Sequence, residues 1–568
     1  MKLFYEAIVV GPQSEQTEKG EEMTCRKPKT IATFDNDAVG IIHLRSKSMQ
    51  NIRLALRSLG CIVAFAVITA TGCNDKSAPS ASATPEAHAV PRMKMTTDIP
   101  PEITTPDSVE TRIGTLKFFD GFPDDKTTQL VYDNLDFQRG VQAFLRGIPG
   151  ASIQAFLPAA KKFGGVDGNV MIFEDLMDSK ALWLTPNNSS VYFYTWLDTS
   201  KGPIVMETPP NVLGVIDDHW FRWVGDYGNA GPDKGKGGKF LFLPPDYKGE
   251  VPKGYFVMRP ATYGVWAPGR GMLVNGDPKP AVESIKKLLK IYPLAQAAHP
   301  AATKFTNMSG IPHSTIHANN FHFYEEVHEV LEMEPNEALD PETLGLFASI
   351  GLQKGKPFAP DERMKKILTE AAAVGNATAR ALSFRSRDEA SYIYPGSSWW
   401  IPSSSGYQFL LVPGVFDLDS RSGFHYWATG VTPAMFAKMV GKGSQYAAAF
   451  TDSSHHGLDG SKTYKVHLPP DIPAKDNWSF TLYDNQTRST LQTDQRFPSV
   501  NSFDKGLVTN PDGSTDVWFG PKLPPGAPEA NWAQTIPGKG WNMLFRLYGP
   551  LEPWFDKTWR VGEVELVK

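Results

Sequence analysis

The sequence predicts a mostly β, multi-domain α+β protein in which two antiparallel β-rich modules bracket a helical middle segment. Three observations predict it. The chain has 568 residues, enough for two or three domains at about 150 residues each. Gly 49 and Pro 46 punctuate it at about one residue in six, and 33 Phe, 18 Tyr and 14 Trp favour short, turn-bounded strands over long helices. A chain 41% hydrophobic and 21% charged is globular, which excludes collagen, coiled coil and wholesale disorder. Against 61 acidic residues stand 57 basic ones, a net charge of -4. No global field gathers nucleic acid or anionic lipid, and nucleic acid is not an expected partner.

The N-terminus carries an address. All three cysteines, Cys25, Cys61 and Cys73, lie in the first 73 residues, so the body has no internal disulfide, no Cys nucleophile and no Cys-ligated zinc. Met49 opens a segment with Arg53 and Arg57, an apolar run at 59–70 and then Thr71-Gly72-Cys73, the three parts of a secretory signal. The run is about a dozen residues, short of the ~20 that cross a bilayer as a helix. Small residues before a cysteine resemble the bacterial lipoprotein cleavage site, with Ala70 where Leu is usual. Residues 49–73 are read as a lipoprotein-type signal peptide and Cys73 as the lipidated residue. Cleavage elsewhere and an uncleaved anchor are the alternatives. Residues 74–108, rich in Ser, Ala, Pro and Thr, read as a disordered tether. Residues 1–48 read as a leader or upstream start without assigned function. The expected location is the cell envelope, as a periplasmic or outer-membrane lipoprotein held to the membrane by an N-terminal lipid anchor.

In the body, Val131, Leu135, Val141, Phe144 and Leu145 recur at helical spacing until Gly147 and Pro149 interrupt them, predicting a short helical cap within 109–183. Alternating runs at 191–196, 203–206 and 239–243 predict an N-terminal β module over 184–300. Helical periodicity returns at 280–294, 321–334 and 361–382, giving a helical segment over 301–390. Strand-like runs at 463–468, 478–483, 516–519 and 543–547 place a C-terminal β module over 391–568. Leu-Pro-Pro-Asp occurs at 243–246 and again at 468–471, each time between strand-like runs; a repeated hairpin connection is one reading, and turn chemistry that arose twice independently is the equal alternative.

Several strings occur in order: Leu-Thr-Pro-Asn-Asn-Ser-Ser-Val-Tyr at 184–192, Gly-Pro-Asp-Lys-Gly-Lys-Gly-Gly-Lys-Phe at 231–240, and Thr-Tyr-Gly-Val-Trp at 262–266. Ile-Gly-Leu-Gln-Lys-Gly-Lys-Pro-Phe at 350–358, Leu-Tyr-Asp-Asn-Gln-Thr-Arg at 482–488 and Leu-Tyr-Gly-Pro-Leu-Glu-Pro-Trp-Phe-Asp at 547–556 complete them. Together, from about residue 127 to 568, they resemble the two-part bacterial family of domains of unknown function 1254 (N-terminal) and 1214 (C-terminal). The resemblance implies two β-rich modules with intervening helices, the second of sandwich or jelly-roll type, and no established activity. Ser454-His455-His456-Gly457 departs from the Asp-Gly type of turn expected there, so no family role carries onto that loop.

Among candidate sites, His322, Glu325 and His328 share a helix face at spacings of three and form a weak metal candidate. The sequence His328-Glu329-x-x-Glu332 approaches the zincin helix but has Glu332 in place of the second histidine, and an amphipathic helix with a solvated acidic face accounts for it. His455 and His456 with Asp452 and Asp459 lie on a loop of no fixed geometry. The Gly-Lys run at 231–239 lacks phosphate-loop spacing and reads as a hairpin loop, and no G-x-S-x-G occurs. No cofactor is expected.

Two groups set charge beside large aromatics. Asp217, Asp218, His219, Trp220, Arg222 and Trp223, with Tyr263, Trp266 and Arg270, suit a sugar ring or an aromatic acid; core tryptophans with a surface ion pair are the alternative. Tyr483, Asp484, Arg488, Asp494 and Arg496 set a carboxylate beside a guanidinium across a turn, to orient a substrate or act as a base; a salt bridge locking the hairpin is the alternative. Tyr483, Asp484 and Arg488 are assigned catalytic roles, and Trp220, Arg222, Tyr263, Trp266, Arg270 and Arg496 substrate contacts. The expected function is an extracytoplasmic hydrolase or lyase, free of nucleotide cofactor, acting on a carbohydrate or small carboxylated substrate in a cleft between the modules. A non-catalytic binding lipoprotein for glycans or small ligands and an envelope scaffold with protein partners are the alternatives.

Overall fold

The computed structural model describes residues 93–401 and 403–568; the leader, the signal segment with Cys73 and the first part of the tether lie outside the described residues. The described residues divide at Thr97, and those from Thr97 to Lys568 form one compact unit.

Its spine is helix α1 (Asp125–Gln154), 30 residues long, started by Asp124, whose carboxylate accepts from Thr127 N. Gly147 and Pro149 do not interrupt it, contrary to the sequence reading. Proline costs a helix one carbonyl's partner and crowds the turn before it. Here the carbonyl left over, Leu145 O, accepts from Ser422 Oγ at 3.4 Å. The glycines serve close packing: a Cβ at Gly147 would lie 2.7 Å from Val327 Cγ2, and one at Gly150 2.6 Å from the Trp220 ring. Helices α2 (Phe156–Phe163) and α3 (Lys279–Leu288) follow, and the buried C-terminal half of α1 packs against the later ones, α4 (His322–Met333), α5 (Pro341–Ser349), α6 (Glu362–Phe384) and α7 (Leu418–Trp427). Their shared core includes Phe144, Ile148, Phe323, Val327, Phe347 and Leu368. The middle helices are therefore one wall of a bundle completed from both sides, with α6 started by the Asp361 carboxylate on Met364 N.

A six-stranded sheet, the N sheet, runs in the order Phe305–Asn307, Val170–Ile172, Ser190–Asp198, Gly264–Met272, Val212–Asp218, Trp223–Gly228. One face, including Val191, Phe193, Ile216, Val265 and Ala267, packs on a four-stranded sheet that contributes Met206, Phe240 and Met258. Further on, a five-stranded C sheet runs in the order Trp399–Trp400, Ser444–Ala449, Trp541–Pro550, Ala474–Asp484, Ser499–Asn501. It shares a core with the four strands built around Tyr464–Leu468 and Thr515–Gly520, including Val466, Val517, Phe480, Phe545 and Leu547. The architecture is multi-domain α+β and β-rich.

Three expectations are corrected. The modules are not purely antiparallel, since Phe305–Asn307 pairs parallel with Val170–Ile172, Phe240 to Met258 join parallel neighbours, and Thr515–Gly520 pairs parallel with Trp532–Gln534. The two Leu-Pro-Pro-Asp segments are not hairpins: the first leads from Gly238–Phe242 towards its parallel neighbour, and the second joins strands of different sheets. The Gly-Lys run likewise passes between sheets, drawn together by the Asp233 carboxylate, which accepts from Gly228 N at 2.7 Å and Gly237 N at 3.2 Å. Among the described residues no helix is long and apolar enough to cross a membrane.

Gly150→Ala adds helix propensity yet drives a methyl into the Trp220 ring. It is expected to destabilise the fold by about 1–3 kcal/mol, measured as a lowered midpoint in chemical denaturation.

Candidate functional site

Period-two alternation gives each sheet a second face, and the two second faces look towards one another. In Trp541–Pro550, Met543, Phe545 and Leu547 enter the C-terminal core, so Leu544, Arg546 and Tyr548 point the other way. Tyr446 and Ser479 stand opposite Arg546, and Ser444 opposite Tyr548. On the N sheet, Arg270 stands between Tyr192 and Leu213, and Trp266 between Trp196 and Asp217. Trp183, Tyr194, Trp266, Trp427, Tyr446 and Leu544 belong to one core that both modules share.

Within this junction lies a cavity of about 870 Å³, continuous with solvent, walled by Trp183, Tyr192, Trp266, Trp427 and Tyr446 and carrying both Arg270 and Arg546. The 184–192 string forms its rim. Arg546 donates to Thr185 O at 2.7 Å and to Thr481 Oγ1 at 3.1 Å. Tyr483 OH donates to Pro186 O at 2.6 Å, Ser189 Oγ to Tyr548 OH at 2.8 Å, and Asn187 Nδ2 to Tyr192 OH at 2.8 Å.

Among the described residues neither guanidinium has a carboxylate partner, and the charged or ionisable neighbours of Arg270 are Tyr446, Tyr192, Tyr548 and Arg546. Burial raises the Tyr192 hydroxyl above its ordinary value, so at neutral pH it offers no countercharge. Among the described residues, Trp183 Nε1, Trp266 Nε1, Ser444 Oγ and Thr429 Oγ1, all in the wall, have no hydrogen-bond partner. A wall of unpaired donors around two cations is chemically complementary to an acceptor-rich anion.

The N-sheet wall also holds Asp226, paired in register with Val215 on the strand next to that of Arg270; it accepts from Thr432 Oγ1 at 2.9 Å and Trp223 Nε1 at 3.2 Å. Burial pushes its carboxyl up to about 6. Nearby Asp217 is fully buried, accepts from Val431 N at 3.0 Å, and is held by burial well above the usual carboxylate range.

Of the residues assigned to the site from sequence, Trp266 and Arg270 line the cavity. Trp220 is instead buried in the helical core, stacked on Phe347. Arg222 pairs with Asp218 at 2.7 Å and donates to Ala338 O. His219 bridges Glu334 Oε1 at 2.6 Å and Gln154 Oε1 at 3.0 Å, and Tyr263 N donates to Glu334 Oε2; this cluster ties the N sheet to the helices.

Asp484 and Arg488 do not pair. The Asp484 carboxylate is taken by Lys539, while Arg488, in the left-handed region at φ 62, turns inward over the Tyr426 ring at 4.0 Å. Arg488 is fully buried, which lowers its guanidinium to about 10. Tyr483 meets the rim carbonyl rather than a reacting group. Arg496 lies on the surface, 3.6 Å from Asp178 and donating to Asp175 O.

His322 pairs with Glu325, but His328 turns to Lys356 O at 2.9 Å, so the three do not converge. His456 sits 3.7 Å from Asp452. Among the described residues no three metal-ligating groups gather. Sequence reasoning missed Arg546 and Asp226; the available signal was a single arginine among the apolar and aromatic residues of 541–548.

Fold and site together define an α+β protein with an aromatic, arginine-bearing cavity where two β-rich segments meet. Residues 168–293 match the family described as "Protein of unknown function (DUF1254)" and residues 443–552 the one described as "Protein of unknown function (DUF1214)". The chain belongs to the two-part family that joins them in this order. Among solved structures it is similar to the VPA0106 protein from Vibrio parahaemolyticus, at 19% identity and TM-score 0.47, covering 76% of this chain and 100% of that one. It is also similar to a putative uncharacterized protein from Burkholderia cenocepacia, at 13% identity and TM-score 0.36, covering 78% and 97%. No curated protein matches the chain.

The raised Asp226 carboxyl fixes the sign of one pH effect. The native state holds the proton up to about pH 6 and the unfolded chain only to about 4, so stability falls as pH rises across that window, by roughly 3 kcal/mol at most. Asp226→Asn is expected to remove that loss, so its midpoint advantage over the parent grows between pH 4 and pH 6.5 in paired thermal melts.

Proposed function

We propose that the chain is an exported envelope protein whose junction cavity takes a small carboxylated molecule, with Arg270 and Arg546 holding the carboxylate and the tryptophan and tyrosine walls its apolar body. The observation that carries this is the pair of cavity guanidiniums without a carboxylate partner among the described residues. An uncharged sugar would leave both cations unanswered, whereas a carboxylate meets planar donors at its own geometry. Asp226, able to hold or release a proton near neutrality, favours an enzyme of hydrolase or lyase type, with Asp226 moving the proton. The non-catalytic binder keeps the same seat without turnover. In this reading Cys73 carries the lipid anchor, residues 74–108 the tether, and the C-terminal module is of sandwich type.

The test is a thermal-shift screen against mono- and dicarboxylates and neutral oligosaccharides, followed by product analysis on any hit. Arg270 makes no hydrogen bond to another described residue, so Arg270→Met tests the seat without breaking a structural bond. It is expected to weaken carboxylate binding at least tenfold while the unliganded midpoint moves little. A response to neutral sugars alone, unchanged in Arg270→Met, would overturn the reading. Asp226→Asn is expected to keep binding and lose turnover; turnover retained in full would remove Asp226 from the chemistry, and no product from any bound carboxylate would leave the binder.

A further inference from the structure

Between the C sheet and α7 the chain makes a small hairpin, Leu410–Val412 against Val415–Phe416, around Pro413 and Gly414. It joins no other strand among the described residues. Leu411, Val412, Val415, Phe416 and Leu418 are 63%, 57%, 49%, 51% and 44% exposed. Isolated exposed apolar side chains are ordinary; five within eight residues, four on the two-stranded hairpin and Leu418 at the start of α7, mark a contact surface.

The base of the hairpin is cationic. Arg421 lies 4.9 Å from the centre of the Phe416 ring, with its Nε unpaired. Beside it runs an open groove of about 910 Å³ lined by Arg146, Arg385, Arg387 and Arg421, with Asp419 as its one carboxylate. Asp419 pairs with Arg387 at 2.5 Å, and Arg146 donates to Thr343 Oγ1. Of the acids nearby, Asp417 caps α7 through Ser420 N, and Asp340 caps α5 through Thr343 N while its charge acts on Arg146 and Arg421, leaving the groove a net excess of cations.

We propose that hairpin and groove together form a membrane-docking face. The apolar tip enters the boundary between headgroups and acyl chains, and the arginines receive the phosphates of anionic phospholipid. Charge decides between this occupant and a second copy of the chain. A two-fold contact would set the same four-arginine groove against itself, while a lipid surface supplies the missing anions. With a net charge of -4 the whole chain has no long-range attraction to such a surface, so the docking is local. It is independent of the junction cavity.

The full-length chain, Leu411→Asp/Val415→Asp and Arg385→Gln/Arg387→Gln are compared by co-sedimentation with vesicles of phosphatidylcholine alone and with 30% phosphatidylglycerol. All three share one N-terminus, so differences report the docking face. The parent is expected to bind the anionic vesicles at least tenfold better, the apolar-tip variant to lose at least tenfold on them, and the arginine variant to lose mainly the anionic preference. Equal binding by all three, or no binding by the parent, overturns the proposal. So does a dimer in light scattering that Leu411→Asp/Val415→Asp dissociates, which would assign the face to a second copy.

Discussion

The structure turns on how Arg546 is satisfied. A guanidinium buried between two sheets is costly unless its donors find acceptors. This one finds them in Thr185 O and Thr481 Oγ1, one from the rim loop of the first module and one from its own sheet. Those bonds exist only when the 184–192 loop lies across the C sheet in one register. The same loop then fixes Tyr192, Tyr483 and Tyr548 through Asn187, Pro186 and Ser189. The cavity is what remains when two sheets are held apart by residues of this size, and its charge follows from what holds them.

Polar groups beside aromatics served two different ends, and burial separates them. His219, Glu334 and Gln154 satisfy one another in a closed set between sheet and helices. Arg270 and the indole nitrogens of Trp183 and Trp266 are left open towards a cavity. A closed network locks a packing arrangement; an open one leaves donors facing the cavity.

Much of the fold was legible because it is written locally. Alternation at 191–196 and 239–243 became strands Ser190–Asp198 and Gly238–Phe242, and the helical periodicity at 361–382 became α6. What was illegible depended on distant partners. Pro149 reads as a breaker unless Ser422, hundreds of residues later, is known to meet Leu145 O. Asp484 and Arg488 look paired at four residues apart, but Lys539 takes the carboxylate and the left-handed backbone at Arg488 carries its side chain inward. The site was half visible: Trp266 and Arg270 share a strand with a recognisable string, whereas Arg546 and Asp226 acquire meaning only when two sheets are brought face to face.

The wiring of α1 has a consequence for how the chain reaches its native state. Every helix it packs against is made later, and the aromatic core of the N sheet is completed by Trp400, Phe424, Trp427, Tyr446 and Leu544 from the far half of the chain. Contacts of such sequence separation are slow to close, and their absence leaves apolar surface open. A chain ending before residue 399 would leave the core of Trp183, Tyr194 and Trp266 without these later residues. The boundary between the two family segments is thus a division of sequence, not a line along which the molecule separates into independently folding halves.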